Sequence, residues 1–470
     1  MTTTTRSAAA VVLLCGAAAG IARAQSCPYV WHIDPIGNPG IAGTIRGMAI
    51  HTDASGTALY VAGPISTAGG LTANRVARWN GQAWSALGMG LIGPTGGPAA
   101  MNALASYNDG TGPALYATGN QVSIAGGGPS LRISKWDGTS WSALGDGLQQ
   151  GGLALGVFND GTGPALYVGG SFTSAGNIPG TAGIARWNGT AWSSVGGGLS
   201  GGSCNVLYAF NDGAGEALYA GGQFTMAGAT PAQRLAKWNG AAWAEVGGGI
   251  SGQSGPLTAR VNTMIAFDDG TGTGLYVGGA FATAGATSAI NLARWRGGQW
   301  SEVGGGTDNN VIRSAVFDDG RGPALYIGGA FITVGGPAPW PVNYIGRWDG
   351  EAWEALGSGI SHPSVTTLSA MVPYDDGSGL SLFVGGGFTT AGGQPTNNIA
   401  RWGCAPPPAC YPNCDQSTTP PVLNVADFGC FLTRYAAGEA YANCDESTQP
   451  PVLNVADFGC FLTKYAAGCP

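Results

Sequence analysis

Arg78-Trp79-Asn80-Gly81-Gln82-Ala83-Trp84 is the stretch that decides the fold. Its leading tryptophan returns as Trp136, Trp187, Trp238, Trp295, Trp348 and Trp402, at intervals from 51 residues (Trp136 to Trp187) to 57 (Trp79 to Trp136). A period of this length over most of the chain describes an array of one supersecondary unit. The clearest copy reads Phe158-Asn159-Asp160-Gly161, then Leu166-Tyr167-Val168-Gly169-Gly170, then Ile184-Ala185-Arg186-Trp187-Asn188-Gly189, then Trp192. These are four short β-branched or aromatic runs bounded by Asp-Gly, Gly-Gly and Asn-Gly, which is the pattern of strands and turns. Asn-Gly and Asp-Gly tolerate the positive backbone angles of tight hairpins. Helical periodicity is absent from this region.

Four strands per unit at this period predict an all-β propeller, in which four-stranded sheets stand radially about an axis. Units counted at Tyr60, Tyr116, Tyr167, Tyr219, Tyr276, Tyr326 and Phe383 give seven blades. The Gly-Gly after the second strand and the aromatic pair across the third and fourth resemble kelch-type propellers, such as the central domain of galactose oxidase. The Trp-Asn/Asp-Gly-x-x-Trp turn is also similar to the Asp-box of sialidase propellers. Both are likenesses of architecture, which does not fix function.

The seventh unit stops at Ile399-Ala400-Arg401-Trp402-Gly403-Cys404, with its fourth strand missing. Cys27-Pro28-Tyr29-Val30-Trp31 supplies that strand from the other end, with Trp31 in the place of Trp84. Cys27 stands four residues before its tryptophan, as Asn80 does before Trp84, and Cys404 stands two after Trp402, as Gly81 does after Trp79. Both cysteines therefore fall at the turn this blade lacks, and a Cys27–Cys404 disulfide is expected in its place.

Residues 1–24 read as a secretory signal, with Arg6, an apolar run over 8–21 and Ala22-Arg23-Ala24 as the cleavage site, so the protein is expected to be secreted or held at the cell surface. The propeller is assigned to 25–403, a Pro-rich linker to 404–412 and a tail to 413–470. The apolar run is too short for a membrane span, and no other segment could cross a bilayer. With 10% charged residues, a formal net charge of -7 and no Lys/Arg run, nucleic acid and anionic membranes are not expected as partners. The 85 glycines recur at fixed repeat positions, as in a turn-rich β protein. Seven of the 10 cysteines follow residue 400, so a disulfide framework is expected in the tail, with Cys204, placed in a loop, as the free thiol.

In the tail, Asn413 to Tyr435 is repeated almost unchanged as Asn443 to Tyr465. Each copy reads as a loop and then a helix: Asn424 can cap, Val425, Phe428, Phe431, Leu432 and Tyr435 recur at helical spacing, and Gly438 and Gly468 stop the helices. The tandem resembles a dockerin, more closely the Cys-containing dockerin-like tails of exported planctomycete-type proteins. That resemblance implies two Ca²⁺ loops and a cohesin-like protein partner. Asn413, Asp415, Ser417, Asn424 and Asp427 match its ligand positions in the first copy, and Asn443, Asp445, Ser447, Asn454 and Asp457 in the second. Three extra residues, a missing turn glycine and a serine in place of a carboxylate weaken the expected affinity. The alternative is that disulfides hold the loops, with Cys414–Cys430 and Cys444–Cys460 pinning each loop to its helix and Cys410–Cys469 tying the ends. Both are expected together.

The repeated aspartates (Asp109, Asp160, Asp212, Asp269, Asp319, Asp376) read as turn chemistry and the tryptophan pairs as packing. His32, His51 and His362 are scattered, so no catalytic or copper constellation assembles. A site on a repetitive ring must break the repeat, which singles out Trp340, His362, Asp308, Asn309 and Arg313 on the face of the inter-blade and second-to-third-strand loops. The function expected is an exported non-catalytic propeller that presents a protein- or carbohydrate-binding face and is anchored by its tail. The competing expectation is a polysaccharide-degrading hydrolase or lyase on the same scaffold.

Overall fold

The computed structural model describes residues 29–93, 100–120, 123–124, 131–364, 367–404, 414, 423–437, 442, 444 and 455–467. Within them the chain is all-β up to residue 404 and carries two helices after it. Seven four-stranded antiparallel sheets account for the repeats. In the third, Gly152–Asn159, Pro164–Gly170, Ile184–Trp187 and Trp192–Ser194 follow one another as a meander. The first strands pack against one another in cyclic order, that of the last sheet against that of the first, so the fold is propeller-like.

The core is divided accordingly. Seven apolar clusters each draw on two neighbouring sheets, including one that joins Tyr374 and Phe383 of the last sheet to Leu59 and Trp79 of the first. The tryptophan pairs lie in these wedges: the Trp79 and Trp84 rings are 5.3 Å apart, and the Trp84 indole N–H donates to the carbonyl of Ile36 at 3.2 Å. Gly81 has φ +97°, and a Cβ there would stand 2.1 Å from the carbonyl oxygen of Asp376 on the adjoining sheet. The Asn-Gly turn is thus required twice, for its backbone angle and for the approach of the next sheet.

The repeated aspartate does more than close a hairpin. In the second sheet the Asp109 carboxylate accepts from Thr111 within the turn, from the Tyr116 hydroxyl at 2.8 Å and from the Lys135 ammonium at 2.6 Å. Tyr116 and Lys135 face each other across adjacent strands, and the same opposition recurs as Tyr167–Arg186, Tyr276–Arg294 and Tyr326–Arg347. Burial alone would raise the Asp109 pKa, but the hydrogen bonds from Lys135, Thr111 and Tyr116 more than offset it and hold it well below the usual carboxylate range.

The last sheet consists of Thr367–Asp375, Leu380–Gly387, Ile399–Cys404 and, from the start of the described chain, Tyr29–His32. Trp31 pairs with Trp402, and the ladder runs on through Val30–Gly403 to Tyr29–Cys404. Cys404 therefore extends a strand where the sequence placed it at a turn, because no hairpin has to reverse the chain here. It is disulfide-bonded, while Cys27 lies outside the described residues. Cys204 opens a first strand, Cys204–Asn211, and is not in a loop as its spacing suggested; it is fully buried and free, and burial pushes its thiol up to about 12.

In the tail, Val425–Ala436 and Val455–Ala467 are helices, the first with a capping box in which Asn424 accepts from the Ala426 N–H and Asp427 from the Asn424 N–H. Phe431 and Phe461 stack at 4.0 Å in a cluster with Phe428, Phe458 and the disulfides Cys414–Cys430 and Cys444–Cys460. Val425 and Leu432, which share the helical spacing, are exposed, since the buried face is set by the phenylalanines that meet across the two copies. The leader 1–24, Cys410, Cys469, Gly438, Gly468 and the ligand positions Asn413, Asp415, Ser417, Asn443, Asp445, Ser447 and Asn454 lie outside the described residues. No helix of the described residues is long and apolar enough to cross a membrane.

Candidate ligand-binding site on the propeller axis

One residue recurs fourteen positions before each second-strand aromatic, from Arg46 before Tyr60 (60 − 46) to Ser369 before Phe383 (383 − 369). The seven are Arg46, Asn102, Leu153, Asn205, Asn262, Ile312 and Ser369, and all seven line one cavity of about 380 Å³. A cavity lined by one residue from the leading edge of every sheet sits on the propeller axis. Six of the seven are placed by the same device. The pairing of first and second strands slips between Met101 and Ala103, Gly152 and Ala154, Cys204 and Val206, Val261 and Thr263, Val311 and Arg313, and Leu368 and Ala370. The residue skipped in each slip is the one that lines the cavity. A β-bulge frees one residue from the ladder and re-aims its side chain. In the first sheet, which has no such slip, Arg46 precedes the strand Gly47–Asp53.

The ring is tied circumferentially. The Asn102 amide donates to the Gly152 carbonyl at 2.9 Å, Asn205 to that of Val261 at 3.1 Å, and Asn262 to that of Val311 at 2.9 Å. Arg46 donates to the Asn102 side-chain oxygen at 3.2 Å. Arg313, one residue past its bulge, donates to the carbonyls of Ile312 at 3.0 Å and Asn262 at 3.5 Å and reaches that of Arg46 in the first sheet at 3.3 Å. Loss of solvation lowers the Arg313 pKa, although part of its surface still faces the cavity. Arg260 also lines the cavity, and among the described residues no carboxylate does.

The loop face around this mouth is built rather than loose. Short strands in the inter-sheet loops pair with hairpins between second and third strands, as Leu199–Ser200 does with Met226–Ala227. Just before the third strand, Arg75, Arg132 and Arg234 hold positive φ, and their guanidiniums donate to loop carbonyls.

Of the five candidates read from sequence, Arg313 alone lines the axial cavity. Asp308 accepts from the Ile332 and Thr333 backbone N–H groups and lines a separate peripheral depression. Asn309 bonds the next N–H in its own turn, Trp340 is 57% exposed on a two-residue strand, and the His362 ring bonds Ser364. These four are not brought together with Arg313. The sequence reading passed over Arg46, Asn102, Asn205, Arg260 and Asn262. For all of these but Arg260, the available signal was a polar residue at one fixed offset before the second-strand aromatic.

Comparison with solved structures places the chain beside other β-rich folds at low identity. It is similar to an extracellular domain assigned to a hybrid two component system of B. thetaiotaomicron, at 10% identity and TM-score 0.48, covering 80% of this chain and 39% of that one. It is also similar to the major Malassezia sympodialis allergen Mala s 1, at 12% identity and TM-score 0.34, covering 63% of this chain and 92% of that one. The chain thus spans about two fifths of the length of the first. No family model and no curated protein sequence matches it.

Proposed function

We propose that the chain is an exported, non-catalytic binding protein whose seven-bladed ring presents its axial cavity to a ligand and whose dockerin-like tail tethers it to a cohesin-like partner. The observation that carries this reading is the convergence of one side chain from every sheet, six of the seven re-aimed by a bulge, on a single cavity. A merely structural channel would be filled by apolar side chains of repeating type. The ring holds three asparagines, an arginine and a serine beside Leu153 and Ile312, and its chemistry differs from sheet to sheet, as recognition requires.

An enzyme on this scaffold is the competing reading, and glycoside hydrolysis needs two carboxylates flanking the bond. Among the described residues the cavity has none. Glu354 is engaged with Arg321 and Arg347, and Glu302 with the Gly305 N–H. The test is an array of soluble polysaccharides and peptides probed with the mature chain and with Ser369→Trp, which plugs the axis, alongside a reducing-end release assay. Binding without release, lost in the plugged variant, is expected. Release that the plug abolishes would replace this reading with the enzymatic one.

The tether is proposed to take Ca²⁺. Asn424 and Asp427 stand together in the capping box that opens the first helix and carry the oxygen atoms that suit a hard ion. Titration of the mature chain with calcium, with its disulfides intact, is expected to release heat and to raise the tail's melting temperature, reversibly with chelator. No heat and an unchanged melting temperature would leave the disulfides as the sole staple.

A further inference from the structure

We propose that the axial cavity is an oxyanion site, taking a ligand that carries a carboxylate, sulfate or phosphate group between the guanidiniums of Arg46 and Arg260, with Arg313 held by backbone carbonyls in the same wall. This rests on the reading of the cavity as the ligand site and names the chemistry of what enters it.

The argument is one of unspent charge in an acidic protein. Seven basic side chains, among them Lys135, Arg294 and Arg401, lie on carboxylates. Arg75, Arg132 and Arg234 lie on loop carbonyls. The three arginines of the cavity have no carboxylate within ion-pair distance among the described residues. Arg313 spends its N–H groups on backbone carbonyls, Arg46 spends one on Asn102, and the Arg260 guanidinium has no hydrogen-bond partner among the described residues. Three like charges facing one pocket repel, and the low-dielectric walls strengthen that repulsion. An anion reverses its sign. The planar guanidinium fork matches the paired oxygens of a carboxylate or a phosphate, and Asn205, which gives one N–H to the Val261 carbonyl, keeps a second for the ligand, while Asn102 and Asn262 each donate to two acceptors of the ring wall. A bare lysine pocket would attract any anion, whereas this arrangement favours one with several coplanar or tetrahedral oxygens.

Calorimetry on the full mature chain at low ionic strength tests this, with sodium sulfate, inorganic phosphate, sodium glucuronate and neutral glucose as probes. One anion per chain is expected, weakened by added salt, about 10- to 100-fold weaker in Arg260→Gln and undetectable in Ser369→Trp. Glucuronate alone binding would assign the group to an acidic saccharide, and sulfate or phosphate binding alone would assign it to an ester of that acid. Arg260→Gln without ligand is expected to melt at the same temperature as the parent or higher, since it removes a repulsion, which separates a lost site from a lost fold. Absence of anion binding, or binding that survives both substitutions, overturns the proposal. If glucose binds as tightly as glucuronate and Arg260→Gln leaves both unchanged, the oxyanion falls while the axial binding site stands.

Discussion

Replacing Asp319 by alanine is expected to destabilise the protein by about 3 kcal/mol, because it removes the buried partner of Arg347 and leaves that cation only the more exposed Glu354 and Asp349. The Asp319 side chain is fully buried, and Arg347, 5% exposed, reaches it at 3.1 Å. The Tyr326 hydroxyl donates to the same oxygen at 3.1 Å, and Arg321 closes over it. Burial alone would raise the pKa of Asp319, yet the hydrogen bond from Arg321 and the charge of Arg347 hold it below the usual carboxylate range. The folded pKa is therefore lower than the unfolded one. Its contribution is complete above the unfolded value of about 4 and disappears as pH falls through the folded value. Asp109, Asp160, Asp212 and Asp269 shift the same way, so acid should unlatch several sheets over one pH range. Denaturant unfolding at neutral pH and at about pH 3 checks this: the parent should lose far more stability on acidification than Asp319→Ala. Tyr326→Phe should cost only about 1 kcal/mol. The last sheet already makes that substitution, with Phe383 opposite Arg401 and the carboxylate of Asp376 still held. A loss below about 1 kcal/mol in Asp319→Ala would reduce the aspartate to the turn residue its sequence suggests.

That aspartate shows what a repeat conceals. Asp-Gly at a hairpin is a complete local explanation, so nothing in sequence demanded the lateral partners on the second and third strands, even though Tyr and Arg/Lys recur with it. The array itself was legible because strands, turns and tryptophans all carry the period. The axial ring was not. Its members are Arg, Asn, Leu, Asn, Asn, Ile and Ser, so averaging over copies erases them, and what aims them at the axis is a slip in strand pairing that alternation cannot reveal. Arg313 was found because it is chemically odd in its own copy. Asp308 and Trp340 were odd too, but the loops carry them away from the axis. In the tail, helical spacing gave the helices but not their inner face, because Phe428 and Phe431 choose their partners on the other copy.

Opening the last sheet should cost as much as breaking a latch. Its outer strand, Tyr29–His32, is joined to the rest by pairing and side-chain contacts, with no hairpin turn. Trp31 is 6% exposed, stacks edge-on against Trp402 at 5.4 Å and donates its indole N–H to the Leu356 carbonyl at 2.7 Å, bridging to the preceding sheet. Trp31→Ala removes that contact area and leaves a cavity, at about 3 to 5 kcal/mol. Covalent closure adds to this. A bond between Cys27 and Cys404 would enclose nearly the whole ring, and in the chain-entropy account a loop of that size is worth on the order of 5 kcal/mol. Cys404→Ser is accordingly expected to lower the unfolding midpoint by an amount close to that of full reduction, if the tail disulfides belong to a separate transition. Combining Cys404→Ser with Trp31→Ala should cost more than either change alone, since the entropy of the open chain and the packing of the closed one are distinct terms. Peptide mapping without reduction should recover Cys27 joined to Cys404. Recovery of Cys404 bound to Cys410 or Cys469 would move the covalent clasp into the tail, and the ring would then be closed by β-pairing and the Trp31–Trp402 contact alone.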